Sequence, residues 1–365
     1  MILLLHNRYR VRGGEERAVE DLAWLIRTEL GEESAVLARD SAQLSAARAA
    51  AGLLAGGLRP DGVARTVRRS GARVVHAHNL HPAYGWRALA AAREAGARVV
   101  LHLHNYRLVC AVGTCFTRGE DCTRCHGRNT APGVVLNCRG SRAESAVYGA
   151  ALALWQRRLA ESVDAFVVPS AFALERLRAL GAPVAGAHVI PSVQRAFAES
   201  SRAAAGRYAL AAGRLTPEKG FADAIAACTR AGVQLVVAGD GPQLDELRAI
   251  GGDVRFTGRV APDELAALRR DAAVAIVPSR YAEILPLAAL EAMAAGLPVV
   301  AARTGGLAEV VPAEGLYPPG DVAALAARVA ALWGDTAAGD RALATVRART
   351  APPGVADALR AVYDG

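Results

Sequence analysis

Residues 274–301 read VAIVPSRYAEILPLAALEAMAAGLPVVA: a β-rich run, a loop, a stretch rich in Ala and Leu, and a second β-rich run. The runs at 274–277 and 299–301 are short and uncharged, as strands buried on both faces are. Between them, 287–295 has helix-forming composition, and Pro286 suits the first helical position, where its missing N–H is not needed. Strand, helix, strand is the βαβ unit of a parallel sheet.

Outward from this unit the rhythm continues. Upstream lie β-rich runs at 208–212, 235–238 and 254–257, with helical stretches at 221–231, 244–250 and 263–271. The front half repeats it, with runs at 2–5, 74–76, 98–102 and 165–168 and helical stretches at 15–30, 86–94 and 171–180. The expected class is therefore α/β, with two Rossmann-like domains. Residues 1–191 form the first and 208–350 the second, joined through the irregular segment 192–207, while 351–365 is a helix packing back on the first. A length of 365 residues suits two cores better than one. Open parallel sheets bind ligands beyond their strand C-termini, so the ligand is expected in a cleft between the domains.

The net charge of +8 favours anionic partners such as diphosphates or lipid headgroups. Nucleic acid is set aside because no aromatic platform is interleaved with the basic residues. The apolar start, Met1 to Leu5, meets His6, Asn7 and Arg8 too soon for a secretory h-region and reads as a buried strand. No stretch approaches the ~18 apolar residues of a spanning helix. The expected location is the cytoplasm, with the inner face of the plasma membrane as the alternative. Residues 146–155, followed by Arg157 and Arg158, resemble an amphipathic helix with a basic end. Packing on the domain is the simpler reading of them, and peripheral membrane contact the other.

Three segments of the second half carry phosphate and ribose chemistry. Gly213-Arg214-Leu215-Thr216-Pro217-Glu218-Lys219-Gly220 follows a strand and opens a helix, so glycines let a ligand approach while Arg214 and Lys219 supply cations for a diphosphate. Gly258-Arg259-Val260 ends another strand, where its backbone would face a nucleobase. At the Pro286 helix start, the N–H groups of Leu287 and Ala288 point toward an anion. Glu291, one turn in, can accept hydrogen bonds from ribose hydroxyls, and Glu283 on the preceding loop can reach a sugar.

These motifs, with Gly239-Asp240-Gly241-Pro242 and Gly305-Gly306-Leu307 followed by Glu309, resemble the donor domain of retaining glycosyltransferase family 4. That family has the GT-B fold of two facing Rossmann-like domains. The resemblance implies a retaining transfer of a sugar from a nucleoside-diphosphate donor to an acceptor hydroxyl. The acceptor would be a sugar, a lipid-linked glycan or a small molecule, in polysaccharide, cell-envelope glycan or glycosylated metabolite synthesis. It implies that Arg214 and Lys219 hold the diphosphate, Glu283 the donor sugar and Glu291 the ribose, with no metal needed for catalysis. Ile284-Leu285-Pro286 stand where many members carry glycines, which leaves fewer flexible donors near the sugar. A sugar-nucleotide epimerase of the same fold and a non-catalytic nucleotide-binding partner subunit are the alternatives.

In the first half, Gly13 and Gly14 begin a helix whose N–H groups would meet the donor phosphate or the acceptor, with Arg8, Arg10 and Arg12 just before them. His76, His78, His81, His102 and His104 gather at adjacent strand ends. Without an acidic ligand they read as sugar-contacting rather than metal-binding groups. The resemblance makes His104 the candidate to bond the donor sugar. Five of the six cysteines fall between Cys110 and Cys138. Cys122-x-x-Cys125 with Cys110 and Cys138 can hold a structural zinc ion, with Cys115 and His126 as substitute ligands. A redox pair is the rival, and Cys228 a buried bystander.

Overall fold

The first sheet of the computed structural model, which describes residues 1–9 and 13–365, runs parallel throughout in the order β2-β1-β3-β4-β7-β8. Its strands are β1 (Ile2–Arg8), β2 (Ser34–Asp40), β3 (Val74–Ala77), β4 (Arg98–His102), β7 (Ala165–Val168) and β8 (His188–Val189). The short strands β5 (Phe116–Thr117) and β6 (Glu120–Asp121) stand apart as a two-stranded ribbon. The second sheet is also parallel, in the order β11-β10-β9-β12-β13-β14. It contains β9 (Tyr208–Ala212), β10 (Leu235–Ala238), β11 (Val254–Gly258), β12 (Ala272–Val277), β13 (Val299–Ala302) and β14 (Leu316–Tyr317).

By contacts the chain forms two units, Met1–Thr117 with Cys122–Val193 and Pro352–Gly365, and Gln194–Ala351 with Arg118–Asp121. Each sheet reverses its strand order once. In the first unit the switch falls between β1 and β3, in the second between β9 and β12. Loops leave a switch point in opposite directions, so a recess opens at the strand C-termini there. The second sheet alternates cleanly: Leu210, Val236, Ala275 and Val299 enter one core, while Ala209, Val237, Ile276 and Val300 enter the other. Burial on both faces explains why these runs are continuously apolar. Each large aliphatic side chain so buried contributes about 1.5–3 kcal/mol.

Four strands escaped the sequence reading, the short β5, β6 and β14 and the edge strand β2. β2 carries Ser34-Ala35-Val36-Leu37-Ala38-Arg39-Asp40 at the sheet edge, with Val36 44% exposed, so its apolar residues trace no buried face. The helix Pro352–Asp364 follows the second unit in sequence yet packs in the first. It buries Val355, Leu359, Val362 and Tyr363 with Ile2, Leu4, Val74 and Val100, and Arg98 Nε donates to the Val362 carbonyl at 2.8 Å. Residues 146–155 lie within one long helix, Arg142–Glu161, which packs on the helices Ala46–Leu54 and Gly85–Glu94. Its Trp155 Nε1 donates to the Leu54 carbonyl at 3.1 Å, and Leu154 is half exposed. No helix among the described residues is long and apolar enough to cross a membrane.

Candidate functional site

The second unit gathers its polar groups where β9 and β12 end. Gly213 leaves β9, and the Leu215 N–H donates to the Asp240 carbonyl at 3.0 Å, which ties this loop to the Gly-Asp-Gly turn after β10. Pro217–Lys219 makes a single 3-10 turn closed by Gly220 in the left-handed region, at φ +70°. A Cβ at Gly220 would run into the Pro278 carbonyl, so the loop after β9 touches the loop after β12 only because this residue is glycine.

That approach brings Lys219 to Glu283. Lys219 Nζ donates to Glu283 Oε2 at 2.8 Å and stands 5.3 Å above the Tyr281 ring. Ser279 Oγ donates to the other carboxylate oxygen. Glu283 is 4% exposed, so an ion pair and a hydroxyl satisfy a carboxylate withdrawn from water. Burial, with Glu283 and Glu218 close by, pushes the Tyr281 phenol far up and keeps it protonated. Arg214, exposed, lies near enough to Tyr281 to act on it electrostatically. Arg280 grips Asp223 through two bonds, at 2.8 and 2.5 Å, which fixes the loop from the other side.

Gly305 and Gly306 support Glu283 from behind. The Gly306 N–H donates to the Glu283 carbonyl at 2.7 Å, and Gly305 sits at φ +55° with its α-carbon against the Glu283 backbone. Gly305→Ala is expected to destabilise the chain by about 2–4 kcal/mol, from overpacking and the left-handed backbone together. A shift in the denaturant midpoint checks this, and a midpoint within error of wild type would remove the supporting role.

The helix Leu287–Ala294 starts after Pro286, whose carbonyl accepts from the N–H groups of Ala289 and Leu290. Leu287 and Ala288 supply the first-turn donors that no intrahelical carbonyl can reach. Glu291 pairs with Arg269 of the helix Pro262–Arg270. Gly258 ends β11 at φ +68°, and its carbonyl accepts from the Gly239 N–H at 2.8 Å. Arg259 is exposed there, while Val260 packs on the core. The sequence motifs did not reveal Ser279, Arg269 or the Asp223–Arg280 pair. Ser279 and Arg280 adjoin the motif and were open to notice, whereas Arg269 lies 22 residues before its partner and carries no local signal.

In the first unit, Glu16 bridges the ends of the segment whose residues 10–12, with Arg10 and Arg12, lie outside the described residues. It accepts from the Gly13 N–H at 2.7 Å and the Tyr9 N–H at 3.1 Å, with His6 Nε2 at 3.5 Å. The Gly13 N–H is therefore directed at a side chain of its own helix. Burial alone would raise the Glu16 carboxyl, but the bonds from His6, Gly13 and Tyr9 outweigh it and hold it at about 2. A depressed carboxylate stabilises the fold above the unfolded value of 4.5 and loses that contribution as pH falls toward 2. The contribution is about 3 kcal/mol at neutral pH. Urea midpoints at pH 7 and pH 3 are expected to differ less for Glu16→Gln than for wild type, and equal differences would contradict this reading.

A recess opens beside these groups, lined by Glu15, His78, His81, His102, His104 and Arg107 among others. Asn105 Nδ2 donates to Glu15 Oε1 at 2.7 Å, and Arg107 Nη1 donates to the Tyr9 hydroxyl at 3.1 Å. Glu15 Oε2 and Arg107 Nε have no protein partner. His104 Nε2 lies 2.8 Å from His78 Nδ1. Burial drives His76 down to about 3 and His78 and His102 well below the ordinary value, so these imidazoles are neutral at pH 7.

Cys110, Cys115, Cys122, Cys125 and Cys138 line a single small pocket. A hydrogen bond with Cys115 draws the Cys110 thiol down to about 6, while Cys115 holds its own proton. Burial raises Cys125 to about 11, with Cys110, Cys138 and Cys122 adding to the rise. Cys228 is buried in the other unit.

Comparison with known proteins meets this geometry on both sides. Residues 7–192, more than half of the chain, match the family model described as glycosyl transferase 4-like domain, and residues 206–335 match glycosyl transferases group 1. A glycogen synthase of Mycobacterium tuberculosis is 42% identical over 151 residues, covering 38% of this chain and 36% of that protein. The chain thus aligns with about a third of the length of that curated relative. Sucrose-phosphate synthase from Thermosynechococcus elongatus superposes with a TM-score of 0.71 at 19% identity, over 99% of this chain and 98% of that one. Anabaena Alr3699/HepE in complex with UDP-glucose does so with a TM-score of 0.65 at 18% identity, over the same shares. The structural likenesses establish a two-domain Rossmann-like GT-B fold, and the family-model match over residues 7–192 identifies the chain as a member of the glycosyl transferase 4-like family.

Proposed function

We propose that this chain is a retaining glycosyltransferase that moves a sugar from a nucleoside diphosphate to an acceptor hydroxyl. The observation that carries the reading is the Lys219–Glu283 pair beside the helix start at Leu287, at the switch point of the second sheet. As the glycosidic bond of the donor breaks, negative charge grows on the departing diphosphate. Lys219, Arg214 and the N–H groups of Leu287 and Ala288 are the fixed positive ends that would stabilise it. Glu283 is assigned to the transferred sugar, Glu291 to the ribose, and the backbone at Gly258, Arg259 and Val260 to the base. Neither glutamate serves as a nucleophile, since each has its own binding partner in this scheme. The UDP-glucose bound by the Anabaena protein supports a donor of this class.

The recess around His104 and Glu15 is assigned to the acceptor, a saccharide or lipid-linked hydroxyl in glycan or glycosylated metabolite synthesis at the cytoplasmic side. Gly13 and Gly14 sit at its helix start. We assign the cysteine pocket to a structural zinc ion on Cys110, Cys122, Cys125 and Cys138, supported by their lining one pocket and by the lowered Cys110 thiol. A panel of uridine, guanosine and thymidine diphosphate sugars, scored by thermal stabilisation and slow donor hydrolysis, tests the reaction. Stabilisation by one base series with release of its nucleoside diphosphate is the expected result. No response from any donor, with the fold intact, would overturn it.

A further inference from the structure

We propose that His76, His78 and His102 form a buried site for one divalent transition-metal ion of the zinc type, separate from the cysteine cavity. The placement begins in the strand register. β3 and β4 pair with His76 opposite Val100 and Ala77 opposite Leu101, so one step further His78 comes beside His102. Alternate residues of a strand share a face, which puts His76, His78, His102 and His104 on one side of the sheet. The rings lie close: His76 and His78 stack at 4.8 Å between centroids, His76 and His102 at 5.4 Å, His78 and His102 at 5.5 Å. One ring nitrogen from each of the three lies within 4.8 Å of the other two, and among the described residues no other group of three such side chains converges in this way.

The hydrogen bonds single out the same three residues. His76 Nδ1 is engaged by the Tyr363 hydroxyl at 2.7 Å and His78 Nδ1 by His104 Nε2 at 2.8 Å. His76 Nε2, His78 Nε2 and both nitrogens of His102 are buried without a protein partner. Buried polar groups are normally paired, so several orphaned nitrogens converging on one place ask for a common partner. A metal ion is that partner, because a ligating imidazole offers one nitrogen to the ion and its other nitrogen to a hydrogen-bonding group. Tyr363 and His104 already occupy those outer positions.

The donor set selects the ion. Neutral imidazoles suit zinc, copper, nickel and cobalt, whereas calcium and magnesium require oxygen ligands. Zn–N bonds of about 2.0–2.1 Å would draw the nitrogens inward and leave one coordination position open. Binding at His78 Nε2 would leave its proton on Nδ1, pointing at His104 Nε2, and would thereby hold the His104 proton on Nδ1. Where the acceptor assignment of that recess holds, the ion would fix His104 as a hydrogen-bond donor through Nδ1.

The test measures metal rather than activity, so it stands apart from the glycosyl transfer reading. Chain stripped with a chelator and reloaded with Zn2+ is assayed for zinc per chain, alongside His102→Asn and Cys122→Ser/Cys125→Ser. The expected result is one equivalent fewer in the histidine variant than in wild type. In the cysteine variant, X-ray absorption should show a zinc shell of nitrogen and oxygen without sulfur. Should His102→Asn not fold, the absorption spectrum of the cysteine variant and a Zn2+-dependent rise in its melting temperature decide. Equal zinc content in wild type and a folded His102→Asn, or a cysteine variant that retains no zinc, would overturn the proposal.

Discussion

Lys219→Ala is expected to lower turnover about 10²–10³-fold while changing KM little. Lys219 faces a buried carboxylate at 2.8 Å in the free protein, and its charge gains a second partner when the diphosphate departs. An interaction that strengthens as the bond breaks acts on the rate more than on ground-state binding. The same substitution leaves Glu283 buried and unpaired, which destabilises by about 3–5 kcal/mol. The double change Lys219→Met with Glu283→Gln isolates the stability effect, because it removes the orphaned charge, while both substitutions fall on groups assigned to the donor. Its melting temperature should recover toward wild type while turnover stays low. Lys219→Ala with unchanged turnover would remove the lysine from the reaction.

Glu291→Ala is the second large effect, and it falls on binding. A charge-assisted hydrogen bond to a ribose hydroxyl contributes about 1.5–3 kcal/mol, so Kd for a nucleoside diphosphate should rise roughly 10–150-fold. Arg269, 12% exposed, loses its partner in the same variant, so the comparison needs a ligand without ribose. Calorimetry with inorganic pyrophosphate supplies it. An equal loss for both ligands would place the defect at Arg269 and the helix start, not at the ribose.

The parallel sheets were legible because their strands are buried on both faces, and 274–277 or 235–238 then read as unbroken apolar runs. β2 was not, since an edge strand with Val36 half exposed follows neither alternation nor a continuous run. The loop after β12 could be read as a site from Glu283, Pro286 and Glu291, whose spacing is local. What holds those groups in place is not local. Arg269 reaches Glu291 from another helix, and Gly305 meets Glu283 from the loop after β13. The histidines showed the converse. Their clustering was visible in sequence, but which of their nitrogens are paired depends on Tyr363, nearly three hundred residues away, and on the ring order across two strands.

The same distant helix sets a constraint on biosynthesis. A ribosome delivers β1, β3 and β4 early, yet the apolar cover supplied by Val355, Leu359 and Tyr363 emerges only after the whole second unit has been made. Nascent chains would carry an apolar sheet face covered only in part, by Val19, Leu22 and Ile26 of the helix Gly14–Thr28, through most of translation, a state that binds chaperones and aggregates readily. The second unit, encoded without interruption over Gln194–Ala351, is under no such delay and can mature first. For this chain the order of synthesis and the order of completion run in opposite directions.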